Sequence, residues 1–173
     1  MVLLNKSCPL KLVYKEAVDQ NCLKLSMKYE VTIYGIFCTY APCWGLDTDF
    51  LLNVRRNQLN STEDHTAIIG DLNCTLDRVL DKYEYEADHH WRCREIIKEW
   101  LDSGDLQDAF RHPNPETLSY TWKDDMLGKK PLCRHAFVFL KCELFPTVVI
   151  VDIPFPIDRR ELFSTVSAAV TAP

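Results

Sequence analysis

A chain of 173 residues, 47% hydrophobic and 26% charged, has the make-up of one soluble globular domain with a sizeable core. Its net charge of −5 excludes the basic footprint of a simple DNA-binding module, although a nuclease can set its local field with a metal and a few arginines. The first residues, interrupted by Lys6, Pro9 and Lys11, do not form a signal peptide, and no apolar run is long enough to span a membrane. The expected setting is intracellular, nuclear or cytoplasmic rather than secreted.

Leu10 to Tyr14 and Cys22 to Tyr29 read as strands. The second alternates, with Leu23, Leu25, Met27 and Tyr29 on one face and Lys24, Ser26 and Lys28 on the other. Val31 to Tyr40 is apolar on both faces, the pattern of an interior strand in a covered sheet, and Pro42 and Gly45 end it. Phe50, Leu51 and Val54 begin a helical stripe that runs to about Leu59, with Asp47 or Thr48 as N-cap. Thr66 to Ile69 is a short buried strand, and the polar stretch from Asp77 to Asp88 reads as an exposed loop. Cys93, Ile96, Ile97, Trp100 and Leu101 recur at helical spacing, with Gly104 as the stop. Leu106 to Phe110 is a short apolar return. Strands are predicted at Ser119 to Trp122, Phe137 to Leu140, Thr147 to Ile153 and Leu162 to Val170. Many short strands with two helices predict a layered α/β domain.

The eight cysteines include no Cys-x-x-Cys pair, which argues against a zinc site. His89-His90 with Cys93 comes nearest to a cluster, and exposed helix residues beside one buried thiol is the better reading. Reduced thiols are expected.

The densest chemical signal is Ala67-Ile68-Ile69-Gly70-Asp71-Leu72-Asn73. Asp71 and Asn73 are spaced by one residue at a strand's C-terminal end, so both are expected to face the same way. Gly70 removes a side chain where another backbone or a phosphate must come close. A carboxylate beside an amide suits the activation of water and the holding of a phosphate. An Asx turn leaving the strand is the plain alternative.

Tyr40-Ala41-Pro42, Gly70-Asp71-Leu72-Asn73, Leu106-x-Asp108-x-x-Arg111 and Tyr120-Thr121-Trp122 follow one another in this order. Together they resemble the endonuclease/exonuclease/phosphatase (DNase I-like) superfamily. Within it, the sequence is most similar to the endonuclease domain of non-LTR (LINE-type) retrotransposons, whose elements also encode a reverse transcriptase. The likeness runs from about Leu3 to Val170 and treats residues 1–173 as a single partial domain. It implies a two-sheet α/β sandwich, incomplete at the N-terminus, with DNA as partner, Mg²⁺ as cofactor and phosphodiester hydrolysis as chemistry. By that resemblance Asp71 orients or deprotonates the attacking water, and Asn73 and Tyr40 contact the scissile phosphate. Asp158 matches the acid of a closing Ser-Asp-His, and Arg111, Tyr120 and Trp122 are substrate-binding candidates.

Three departures from the family pattern point to a weak or inactive nicking enzyme. The early asparagine and metal-binding glutamate have no counterpart, since Glu16 and Glu30 sit in other settings, so no metal ligand is assigned. The motif Ser-Arg-Ile-Asp stands as Cys133-Arg134-His135-Ala136, with Ala136 in place of the acid. In Ile157-Asp158-Arg159, Arg159 takes the place of the histidine, and arginine does not give up its proton. The plain readings make Tyr40 and Trp122 core aromatics, Asp108 and Arg111 a local pair, and His112 and His135 loop or packed residues. A non-catalytic protein- or nucleic-acid-binding domain is the alternative function, and a phosphatase of the same superfamily ranks third. Val31 to Tyr40 and Thr66 to Leu72, if uncovered, would drive self-association.

Overall fold

The computed structural model describes residues 9–42, 48–83, 91–103, 105–123, 132–141, 148–152 and 167–170. Three antiparallel strands open the chain: β1 (Lys11–Asp19), β2 (Cys22–Tyr29) and β3 (Thr32–Tyr40). Helix α1 (Thr48–Leu59) then carries the chain back, so that β4 (His65–Asp71) lies parallel to β3. β5 (Lys82–Tyr83) precedes helix α2 (Trp91–Asp102). It is followed by β6 (Leu106–Asp108), β7 (Trp122–Lys123), β8 (Leu132–Cys133) and β9 (Ala136–Lys141). β10 (Val148–Asp152) and β11 (Ser167–Val170) complete the described elements.

Among the described residues the main sheet has the order β1-β2-β3-β4-β9-β6, beside a three-stranded sheet β5-β8-β7 and a two-stranded sheet β10-β11. This is the α/β class the periodicities predict. The register sets Phe37, Ile68 and Phe139 in one cross-strand row, and that face packs against Phe50, Leu51 and Val54 of α1 and Cys93, Ile97 and Trp100 of α2. The helical stripes are therefore the covers of this face. On the opposite face Ala67, Val138 and Leu140 form a smaller cluster with Tyr34 and Ile69 packed against it.

The geometry bears on three readings of the sequence and corrects the last of them. β3 and β4 are each paired on both sides, so β3 is interior as its two-sided apolarity indicates, and β1 and β6 are the outer strands of the main sheet. The second strand alternates as read, but its polar face is not left to solvent. Ser26 is buried, and its hydroxyl donates to Glu63 at 2.6 Å, while Lys24 pairs with the same carboxylate at 2.9 Å. The polar stretch from Asp77 is not simply an exposed loop, because Asp81 within it is 1% exposed. Gly45, Asp47, His89, His90 and Gly104 lie outside the described residues, as do Cys8, Cys43 and Cys142. The other five cysteines are free thiols, and burial pushes those of Cys22 and Cys133 up to about 12, which leaves them protonated and inert. Among the described residues no helix is long and apolar enough to cross a membrane.

Gly70 has φ +151°, and a Cβ there would lie 1.8 Å from the carbonyl oxygen of Thr39 on β3. The close approach anticipated at this glycine is thus to a neighbouring backbone. At Gly35 a Cβ would meet only side chains, Ser61 Oγ at 3.2 Å and Glu63 at 3.4 Å. Gly70→Ala is therefore expected to destabilise the fold by about 2–3 kcal/mol, and Gly35→Ala by clearly less, as read from urea midpoints.

Glu63 supplies a pH signature. Burial alone would raise its carboxyl, but hydrogen bonds from Ser26, Ser61 and Lys24 outweigh burial and hold it down to about 2. A depressed folded pKa gives stability that is present above the unfolded value, near 4.3, and is lost as pH falls toward 2. The melting temperature should drop across that window, and Glu63→Gln should flatten the drop while lowering stability at neutral pH.

Candidate active site

Parallel pairing of β3 with β4, and antiparallel pairing of β4 with β9, place Tyr40, Asp71 and Ala136 side by side in one row at one end of the sheet. Tyr40 is 55% exposed, so it is a surface aromatic and not a core one. The backbone oxygen of Asp71 accepts the N–H of Ala41 at 2.8 Å, which fastens the end of β3 to the end of β4. Asp71 is half-buried, and burial pushes its carboxyl above the usual range, partly offset by the hydrogen bond from the Asn73 backbone. A carboxyl so placed holds a proton more readily than an exposed aspartate, a property useful to a general base.

Asn73 does not continue the strand. Its φ is +48°, its N–H donates to Asp71 Oδ1 at 2.8 Å, and its side-chain Nδ2 donates to the carbonyl of Ala41. The plain Asx-turn reading is therefore realised. Asp71 and Asn73 do come together, through that turn and not through strand alternation, which stops at Asp71.

Behind the turn lies a buried ionic cluster. Arg134 is 0% exposed, and its Nη2 donates to both oxygens of Asp108, at 2.6 and 2.7 Å. Its Nη1 lies 3.5 Å from Asp81 Oδ1, and the guanidinium stands 5.1 Å from the Phe110 ring centre and 4.5 Å from that of Phe137. Arg111 Nη2 donates to Asp81 Oδ1 at 2.6 Å, and its Nη1 donates to the Thr117 carbonyl at 2.7 Å. The local Asp108–Arg111 side-chain pair is thus replaced by two longer-range pairs, although Asp108 Oδ1 does accept the Arg111 backbone N–H at 3.2 Å. Asp81 Oδ2 accepts the N–H groups of Leu76 and Asp77 at 3.2 and 2.9 Å.

The motifs are joined by further hydrogen bonds. The Thr121 hydroxyl accepts the N–H of His135 at 2.9 Å and of Ala136 at 3.0 Å, and the His135 carbonyl accepts the N–H of Leu72 at 2.9 Å. Arg94 of α2, itself buried, donates Nε to the Thr75 carbonyl at 2.7 Å and so braces the loop after Asn73.

Tyr120 is partly buried near this cluster; burial first, then Tyr83, Asp81 and Cys133, push its phenol upward. The Trp122 backbone pairs with Cys133 in the small sheet. Asp158 and Arg159 lie outside the described residues. Sequence reasoning missed Asp81 and the burial of Arg134. Arg134 carried a signal in its motif position, whereas Asp81 carried none.

Among the described residues the donor set at this end of the sheet does not fit Mg²⁺. That ion wants an octahedron of oxygens, and the row at the sheet end offers one carboxylate, Asp71, flanked by Ala136. Among the described residues no group of three or more histidines, cysteines or carboxylates converges.

No protein-family model matches the sequence, and no match was found among curated proteins. Solved structures do match. The endonuclease domain of TRAS1, a telomere-specific non-LTR retrotransposon, superposes with a TM-score of 0.64 at 12% identity, over 83% of this chain and 61% of that one. An AP endonuclease from Archaeoglobus fulgidus gives 0.60 at 15% identity, over 84% and 62%. The 3′ phosphatase NExo from Neisseria, bound to a product DNA hairpin, gives 0.57 at 18% identity, over 77% and 56%. The chain thus spans less than two thirds of the length of each. These three proteins carry different activities on one architecture, and the chain described here has it: the DNase I-like fold.

Proposed function

We propose that the chain is a nuclease-like domain of retroelement type, in which the end of β3 and β4 binds a DNA phosphodiester and cleaves it weakly or not at all. The observation that carries this reading is the row Tyr40–Asp71–Ala136 with the Asn73 turn beside it. Tyr40 offers an exposed ring and hydroxyl, Asp71 a carboxyl with raised proton affinity, and Asn73 an amide oxygen. Arg111, Tyr120 and Trp122 serve in this reading as neighbours of the bound strand, and Asp158 as a second acid. The retrotransposon and DNA-bound structures among the fold's relatives support DNA as the ligand.

The weak-activity half of the proposal follows from the same row. Asp71 Oδ1 already accepts the Asn73 backbone, Asn73 Nδ2 already serves Ala41, and the neighbouring position holds an alanine. These internal hydrogen bonds also favour the second reading, a DNA-binding domain without catalysis.

Plasmid nicking in Mg²⁺ and in Mn²⁺ tests the first half. Little nicking above buffer is expected from the wild-type chain; robust nicking that falls about a hundredfold in Asp71→Ala would replace "weak" with "active". Fluorescence anisotropy with a DNA duplex tests the second. Binding should weaken with salt and fall about tenfold in Tyr40→Ala, since an exposed aromatic contact is worth about 1–3 kcal/mol. Binding unaffected by Tyr40→Ala would remove this surface from consideration.

Calorimetry addresses the cofactor. Mg²⁺ should bind weakly and mostly through water, with Mn²⁺ tolerated somewhat better. A sub-micromolar Mg²⁺ affinity abolished by Asp71→Ala and by Asp158→Ala would show a complete metal site.

A further inference from the structure

We infer that Arg134 is the positioning residue of this site: one guanidinium, sealed in the core, holds the chain segments that aim Asp71 and Asn73. Three observations carry the inference. The first is connectivity. Arg134 joins Asp108 by two hydrogen bonds and stands beside Asp81, which in turn fastens the Leu76 and Asp77 backbone. Its own N–H donates to the Asp81 carbonyl at 2.9 Å, and the next residue's carbonyl accepts Leu72 N–H, between Asp71 and Asn73. Both ends of the loop that follows Asp71 are thus tied to residues 134 and 135.

The second observation is that the buried guanidinium is incompletely hydrogen-bonded. Arg134 Nε and Nη1 are buried without a hydrogen-bond partner. A buried ion cluster replaced as a whole by apolar side chains often loses no stability, whereas the intact cluster can fix one geometry among several. The third is charge balance. Arg111 and Arg134 face Asp81 and Asp108, two cations against two anions, so the cluster carries no net charge. Arg111 is the outer member of this lock, its side chain 19% exposed.

The catalytic meaning of this inference rests on the nuclease-like reading, but its test does not. The side-chain amide of Asn73, which donates to Ala41, reports the turn directly as a resonance in an ¹⁵N NMR spectrum. Arg134→Lys keeps the charge and removes the planar fork. It should shift the Asn73 amide and speed its exchange with solvent. Met27→Ala is the control, because Met27 is fully buried on β2 and pairs with Tyr34, at the other end of β3 from Tyr40. It should lower the melting temperature and leave the Asn73 amide in place. Should Arg134→Lys fail to fold, Arg111→Lys, at the half-open edge of the cluster, decides the matter by the same readout. An Asn73 amide unmoved in the folded arginine variant, or moved equally by Met27→Ala, would overturn the inference. Neither DNA nor metal enters the experiment, so a chain that never nicks DNA still tests it.

Discussion

The parallel pairing of β3 with β4 governs the rest of the molecule. It is the one parallel ladder among the described strands, running from Tyr34 opposite His65 to Tyr40 opposite Asp71. Parallel neighbours cannot be joined by a tight turn, so the chain must cross over the sheet, and α1 is that crossover. The same pairing brings two strand C-termini to one edge, which is why Tyr40 and Asp71 meet although 30 residues separate them in sequence. It also brings the backbones so close at Thr39 that position 70 accepts only glycine without rearrangement. With β4 fixed, β9 adds on its far side and β6 on the far side of β9, and the aromatic row under the helices is complete.

Among the described residues two buried polar regions follow opposite electrostatic logic. Around Glu63 one carboxylate collects three donors, from Ser26, Ser61 and Lys24, and is stabilised in its charged form. Around Arg134 charges of both signs are matched to each other, and removing one member leaves an uncompensated buried ion, an effect of about 3–5 kcal/mol. Because the two arginines there are committed to Asp81 and Asp108, Asp71 keeps a carboxyl governed by burial and by the Asn73 N–H. The carboxyl at the surface end of the sheet therefore titrates in an environment set by its own turn.

Periodicity made the larger elements legible. β2 is bounded as the alternation of Cys22 to Tyr29 indicates, β3 is interior as its two-sided apolarity indicates, and the stripe Cys93-Ile97-Trp100 is the buried face of α2. The two-residue strands β5 and β8 were not legible, since no repeat can be read from two residues, and the strand read at Ser119 to Trp122 meets β7 only at Trp122. β1 was found but extends further than its apolar start, because Lys15, Glu16 and Ala17 are held by pairing with β2 and not by burial. The placement of Asp71 at the C-terminal end of a strand could be read, but the way it meets Asn73 and Tyr40 could not. Alternation applies only within a strand, and Asn73 sits one turn beyond it. Asp81 was hidden for a different reason: a charged residue among other polar ones reads as solvated, and its burial is created by Arg111 and Arg134, distant in sequence.

The strand order has a kinetic side. β1, β2 and β3 are joined by tight hairpins, so their contacts are local and close quickly. β4 must wait for the α1 crossover, and β9 pairs Leu140 with Ala67 only after the whole intervening chain has been gathered in. Loop closure over that length is entropically slow. The row Tyr40–Asp71–Ala136 therefore joins a locally connected hairpin strand to β9, whose pairing with β4 must close a much longer loop.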